Sequence, residues 1–226
     1  MRALKLHGGA EEKALEKEDV GAVERGLPNL LRHVENLGKF GLPVLVGINR
    51  FLSDTPAEIE LIEKKCAAAG ATVYLCEHWA KGGAGAEELA RAVVTTLDEG
   101  RAAFHPLYPD DMPLAQKIET VAKEIYRARG VAIAGPAQRR LKALEAMGYG
   151  KLPVCIAKTQ YSFSADPELR GAPTGHTLPV REVRLSAGAG FVVAMAGEIM
   201  SMPGLPRVPA AERIRLTADG EIDGIF

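Results

Sequence analysis

A chain of 226 residues with 47% hydrophobic and 25% charged residues can bury a core without disulfides or metals, and it is not composed like a disordered segment. Its formal net charge is -1, from 28 Lys and Arg against 29 Asp and Glu, so no net field draws it to nucleic acid or to an anionic membrane. A small molecule or another protein chain is the expected partner.

From the N-terminus, MRALKLHGG reads as a strand leaving a core, followed by the charged stretch from Glu11 to Asp19. It holds no apolar leader, and no later segment approaches 18 uninterrupted apolar residues, so the expected location is cytoplasmic. LPNLLRHVENLGKFG carries Leu30, Leu31, Val34 and Leu37 at helical spacing with Gly41 as a stop. The strand PVLVGI (43–48) follows. Thr55, Pro56 and Glu58 then form a helix start with a capping box, and that helix runs to Gly70. ATVYLC (71–76) is a second strand, EHWAKGGAG its exit loop and AEELARAVVTTLDEG the next helix. This alternation is the repeat of a parallel sheet covered by helices, a Rossmann-like three-layer α/β unit.

FHPLYPDDMP (104–113) interrupts the alternation and reads as a domain boundary. Beyond it come two helices, PLAQKIETVAKEIYRARG and GPAQRRLKALEAMGYG, then the strands LPVCIAK, VREVRLS and GFVVAMAG. The tail is a Pro-rich loop ending in a short strand pair turned at Asp219 and Gly220. A second, smaller α/β domain is expected here. Cys66, Cys76 and Cys155 are an odd, widely spaced set, which reads as buried thiols in a reducing compartment and not as a zinc site.

In an open parallel sheet, ligands lie outside the carboxyl ends of the strands. Both loops at that end of the first unit carry an aromatic: Phe51 in NRFLSDT and Trp79 in EHWAKGG. Facing rings would form a slot for a flat heterocycle, with Leu52 and Leu75 as walls; alternatively, each ring caps the core. Asn49, Ser53, Asp54 and Thr55 suit ligand edges but also suit a helix start. WAKGGAG could hold an anion on its backbone N–H groups, yet GxxxxGK followed by Ser or Thr occurs nowhere in the chain. SAGAGF suggests close backbone packing, and KTQYSFS suits either a ligand or an interface. The five histidines show no metal spacing, and no nucleophilic or acid–base set is apparent. The expected catalytic and metal sets are therefore empty.

RALKLHGG, NLLRHVENLGKFGLPVLVGINRFLSDT, HWAKGGAG, PLAQKIETVAKEIYRARGV, LEAMGYGKLPVCIAKTQYSFS and GAGFVVAMAGEIMSMPGLPRVPAAERI together closely resemble the C-terminal part of formate–tetrahydrofolate ligases, from residue 2 to Phe226. The resemblance implies an ATP-dependent joining of formate to tetrahydrofolate through formyl phosphate, giving 10-formyltetrahydrofolate, ADP and phosphate. It also implies Mg2+ with the nucleotide, stimulation by monovalent cations, and a homo-oligomer, typically a tetramer. Positions matching Phe51 and Trp79 sandwich the folate ring in the family, and those matching Leu52 and Leu75 line the pocket; position 52 is often Pro there and is Leu here.

The family's P-loop portion precedes the stretch that is matched. Residues 1–27 are accordingly expected to be the remnant of a nucleotide-binding domain, 28–112 a folate-clamp domain and 113–226 a C-terminal α/β domain. Met1 falls where relatives usually carry Val within a continuing strand, so the expectation is that an internal GTG codon was read as a start or that the chain was cut there. The expectation is a folate-binding part that is inactive without its P-loop part. A stand-alone folate or pterin module, or an interaction protein without ligand, are the alternatives.

Overall fold

The computed structural model describes residues 1–199 and 207–224. The chain opens with helix α1 (Arg2–His7), not with the expected strand. Alternating Leu4 and Leu6 mimic a strand, but the residues that become buried are the neighbours Leu4 and Lys5. Lys5 has no exposed surface; its Nζ lies 2.8 Å from Glu58 Oε1 and donates to the carbonyls of Leu15 and Lys17 at 3.1 and 2.7 Å. A buried ammonium with three oxygen partners is tolerated, whereas an unpaired one is not.

Helix α2 (Val20–Gly38) starts well before the expected LPN segment and carries Pro28 inside it. Its true start is Asp19, whose side chain accepts the Ala22 N–H at 2.7 Å. A proline there removes one main-chain bond, but the adjoining Leu27 is buried and holds the helix in place. α2 passes through the expected division at residues 27 and 28. Leu4, Val23 and Leu27 share one core with Val46, Ile48, Ile59 and Ile62.

That core is completed by β1 (Leu45–Asn49), α3 (Pro56–Ala68) and β2 (Thr72–Cys76). β1 and β2 pair in parallel, with Ile48 opposite Leu75 and Asn49 opposite Cys76. The expected capping box on α3 is present: Glu58 Oε2 accepts the Thr55 N–H at 3.2 Å, while the reciprocal approach of Thr55 Oγ1 to the backbone is too loose for a full hydrogen bond. Two helices follow β2, the short α4 (His78–Lys81) and the longer α5 (Glu87–Asp98).

The second unit comprises α6 (Leu114–Glu124), β3 (Gly130–Ile133), α7 (Gly135–Ala146), β4 (Val154–Ala157), β5 (Thr177–Ser186) and β6 (Phe191–Ala196). Its sheet has the order β3-β5-β6-β4. β3 runs parallel to β5 and β4 to β6, but β5 and β6 are antiparallel. The sheet is therefore mixed, because residues 187–190 are too short for a crossover and can only make a hairpin. Gly190 closes that hairpin at φ 75, with nothing within 4 Å of its missing side chain. The glycine serves left-handed backbone there and not the close packing expected of SAGAGF. Lys117 is wholly buried and donates to the carbonyls of Asp110, Gly150 and Leu152 at 2.7, 2.9 and 3.0 Å, which fastens the Pro-rich boundary segment to this unit. Cys155, expected to be buried, is exposed: β4 is an edge strand, and its core contacts come from Val154 and Ile156.

The tail pair is present as β7 (Arg215–Leu216) and β8 (Ile222–Asp223), antiparallel; residues 200–206 of the expected Pro-rich loop lie outside the described residues. Helices α1 and α2 join the two units. Asn29 Nδ2 donates to Gly171 O at 2.8 Å, Asn36 Nδ2 to Ile125 O at 3.0 Å, and Gly171 N–H to His7 Nδ1 at 3.0 Å. Among the described residues, no helix is long and apolar enough to cross a membrane.

Candidate functional site

The carboxyl ends of β1 and β2 lie side by side because the strands are parallel and in register. From β1 the chain turns at once: the Phe51 N–H donates to Asp54 Oδ2 at 2.9 Å and Asp54 N–H to Phe51 O at 3.0 Å. Asp54 is buried in this turn, with Oδ2 holding the Phe51 N–H and Oδ1 without a partner. The turn carries Phe51 away from the apolar file of the strand and leaves it half-buried at the rim. From β2 the chain enters α4, and Trp79 Nε1 donates to Arg50 O at 2.8 Å. That bond fastens one loop to the other beside Phe51.

Phe51, Leu52 and Trp79 line one cavity of about 480 Å3, together with Ser53, Arg2 and Glu16. Leu52 is 89% exposed and Trp79 54% exposed, an unusual solvent share for such side chains. Leu75 is elsewhere: it packs against the core of the first unit. Arg2 and Glu16 were not expected in the site. No local pattern marks them, because they arrive through the packing of α1 on the rest of the unit.

Charges at the rim are mostly committed. Glu77 takes Arg50 Nη1 at 2.8 Å and Lys81 Nζ at 2.5 Å; the hydrogen bond from Lys81 leads the causes that hold its carboxyl below the usual range. Around the WAKGGAG turn the nearby charges are paired or acidic. Lys81 is taken by Glu77, a side chain on Gly85 would stand 2.4 Å from the Glu77 carbonyl carbon, and Glu87 and Glu88 open α5 with negative charge. His78 is exposed. Among the described residues, no group of three or more His, Cys, Asp or Glu could hold a metal ion.

A second cavity, about 770 Å3, lies where β4 and β6 end and β5 begins, lined by Thr159, Tyr161, Leu169, His176 and Pro179 among others. KTQYSFS supplies part of its wall, but Lys158 turns inward. Its Nζ donates to the carbonyls of Thr159 and Ser162 and sits 5.0 Å over the Tyr126 ring. Burial brings the Lys158 pKa down to about 8 and sends the Tyr126 phenol up to about 12. Both ring nitrogens of His176 are buried without partners; burial first, then Lys158, holds its pKa below the usual value. Lys158 is committed to its two carbonyls, which leaves the unpaired ring nitrogens of His176 as the uncommitted polar atoms of this pair; the first unit's cavity, with Phe51, Leu52 and Trp79 in its wall, is the stronger candidate for a flat ring.

All of residues 1–226 match the family model for formate–tetrahydrofolate ligase. Three curated relatives of that description come from Allorhizobium ampelinum, 62% identical, and from Sinorhizobium medicae and Roseobacter denitrificans, each 57% identical. Each similarity covers 100% of this chain, but 41%, 40% and 40% of the respective relative. The chain therefore spans about two-fifths of the length of these relatives.

Proposed function

Because the chain belongs to the formate–tetrahydrofolate ligase family, we propose that it is the C-terminal, folate-binding part of such an enzyme. In this reading the complete protein joins formate to tetrahydrofolate with ATP and Mg2+, aided by a monovalent cation. ATP and formyl phosphate are handled by the portion of the relatives that this chain does not span. The supporting observation is the cavity at the paired ends of β1 and β2, with Phe51 and Trp79 in its wall and Leu52 beside them. A flat reduced pterin suits such a wall, since stacking on two aromatic rings adds to the apolar area it buries. Leu75 acts from behind, as a packing residue that sets the height of the β2 loop.

In this account residues 28–112 form the clamp unit and 113–226 the second α/β unit, while 1–27, which shares helix α2 and its core with the clamp, borders the nucleotide-binding part. β1 and β2 would belong to a larger Rossmann-like sheet in the complete protein. A cytoplasmic location and a homo-oligomer go with the family. In this reading the chain alone is inactive as a ligase, because no P-loop pattern occurs in the 226 residues.

Titration of the chain with tetrahydrofolate, read by the fluorescence of its single Trp and run beside an assay of formate-dependent ATP hydrolysis, tests both halves. Saturable quenching without turnover is the expected result. Turnover by the chain alone would overturn the assignment of nucleotide chemistry elsewhere, and absence of quenching would overturn the clamp. Quenching that is unaffected by addition of a P-loop portion would favour a stand-alone folate or pterin module.

A further inference from the structure

Arg2 sits in the candidate clamp in a position that its own bonds do not account for. Its guanidinium carbon lies over the Phe51 ring, 4.2 Å from the centroid, and the residue lines the same cavity as Trp79. One helical turn further on, the buried Lys5–Glu58 pair pins α1 to α3, so the placement of Arg2 is built in. Yet its donors are poorly used. Nε is shut off from water with no acceptor, and Nη2 reaches only Glu16 Oε1, at 3.2 Å, on a side chain 77% exposed. A lone ion pair to an exposed carboxylate is weak, and a buried unpaired donor is unfavourable.

Geometry says what would use those donors. A planar guanidinium about one ring thickness above Phe51 occupies the layer that a stacked heterocycle needs. A ring entering that layer displaces the guanidinium sideways, which leaves it coplanar with the ring's edge. Hydrogen bonds to a carbonyl oxygen are best in the plane of the carbonyl, and a guanidinium at the ring's edge can direct its N–H groups to the lone pairs of that oxygen. We propose that Arg2 is a specificity-determining residue of the clamp. It yields its place over Phe51 to a planar oxo-heterocycle and donates to the ring's carbonyl edge, giving up Glu16. The inference rests on the clamp reading and adds to it the ring chemistry that the clamp selects.

The test compares tetrahydrofolate with its 4-amino analogue, in which the ring carbonyl acceptor becomes a donor, by quenching of Trp79. A site that hydrogen-bonds an oxo group rejects the analogue that lacks it, so the native chain should prefer tetrahydrofolate by about tenfold or more. Arg2→Met should bring that ratio to about one, and Arg2→Lys, which keeps the charge without the fork, should leave a smaller preference than the native chain has. Circular dichroism and thermal melting establish that the variants are folded. A ratio unchanged in Arg2→Met overturns the role of Arg2 while leaving the clamp intact. Failure of both ligands to quench the native chain overturns the clamp reading and this inference with it.

Discussion

Replacing Lys5 with Met should cost the fold more than any surface substitution, and the cost should depend on pH in a way that identifies its cause. Both side chains of the Lys5–Glu58 pair have no exposed surface, and Nζ lies 2.8 Å from Oε1. Burial alone would raise the Glu58 carboxyl; the hydrogen bonds from Lys5, the Asp19 N–H and the Thr55 N–H outweigh it and hold the group below the usual carboxylate range. A carboxyl depressed in the fold contributes stability above its unfolded value, about 4.3, and that contribution is lost as pH falls through the folded value. Lys5→Met leaves a buried carboxylate with two backbone donors and no cation, a loss of about 3 to 5 kcal/mol at pH 7. In the variant the Glu58 carboxyl must rise, so acid relieves the uncompensated charge and the difference between variant and native chain should shrink towards pH 4. Adding Glu58→Gln to Lys5→Met should recover part of the loss. Urea denaturation at several pH values measures all of this. A penalty below about 1 kcal/mol, or one constant from pH 7 to pH 4, would show that packing and not the ion pair holds α1.

Phe51→Ala and Trp79→Ala should each weaken tetrahydrofolate binding by about 1 to 3 kcal/mol, measured by calorimetry because the second variant removes the fluorophore; unchanged affinity in both would sink the stacking account. Thr55→Ala should cost no more than a few tenths of a kcal/mol in thermal melts, against about 1 kcal/mol for a fully bonded cap, since Thr55 Oγ1 makes no full hydrogen bond. His176 has a lowered pKa, so below about pH 6.5 the unfolded chain takes up its proton first and stability falls with acid. His176→Phe should flatten that decline between pH 7 and pH 5; an identical decline would assign it to other groups.

Much of the chain could be read from local pattern. The β1 and β2 segments, the start of α3 at Pro56 and the turn at Gly220 follow from apolar runs and punctuating residues. The failures share a physical cause, which is dependence on distant partners. α1 looks like a strand because Lys5, which makes its buried side with Leu4, is buried through a carboxylate on α3 and the carbonyls of Leu15 and Lys17. β3 is four residues between an Arg-rich turn and a helix, and it exists by pairing with β5. In the site, the positions of Phe51 and Trp79 follow from strand ends, and Leu52 follows with them. Leu75 faces the core because the parallel register places it beside Ile48. Arg2 and Glu16 could not be found locally, since only the fold brings them to the cavity.

The central claim is that a folate ring binds between the loops that follow β1 and β2. Amide and indole NMR spectra of the chain titrated with tetrahydrofolate test it most directly, because the Trp79 indole N–H is held by Arg50 and the Phe51 N–H by Asp54. The account predicts that these two signals move most and saturate together. Large shifts confined to residues 159–179 around the second cavity, with Phe51 and Trp79 unmoved, would contradict it.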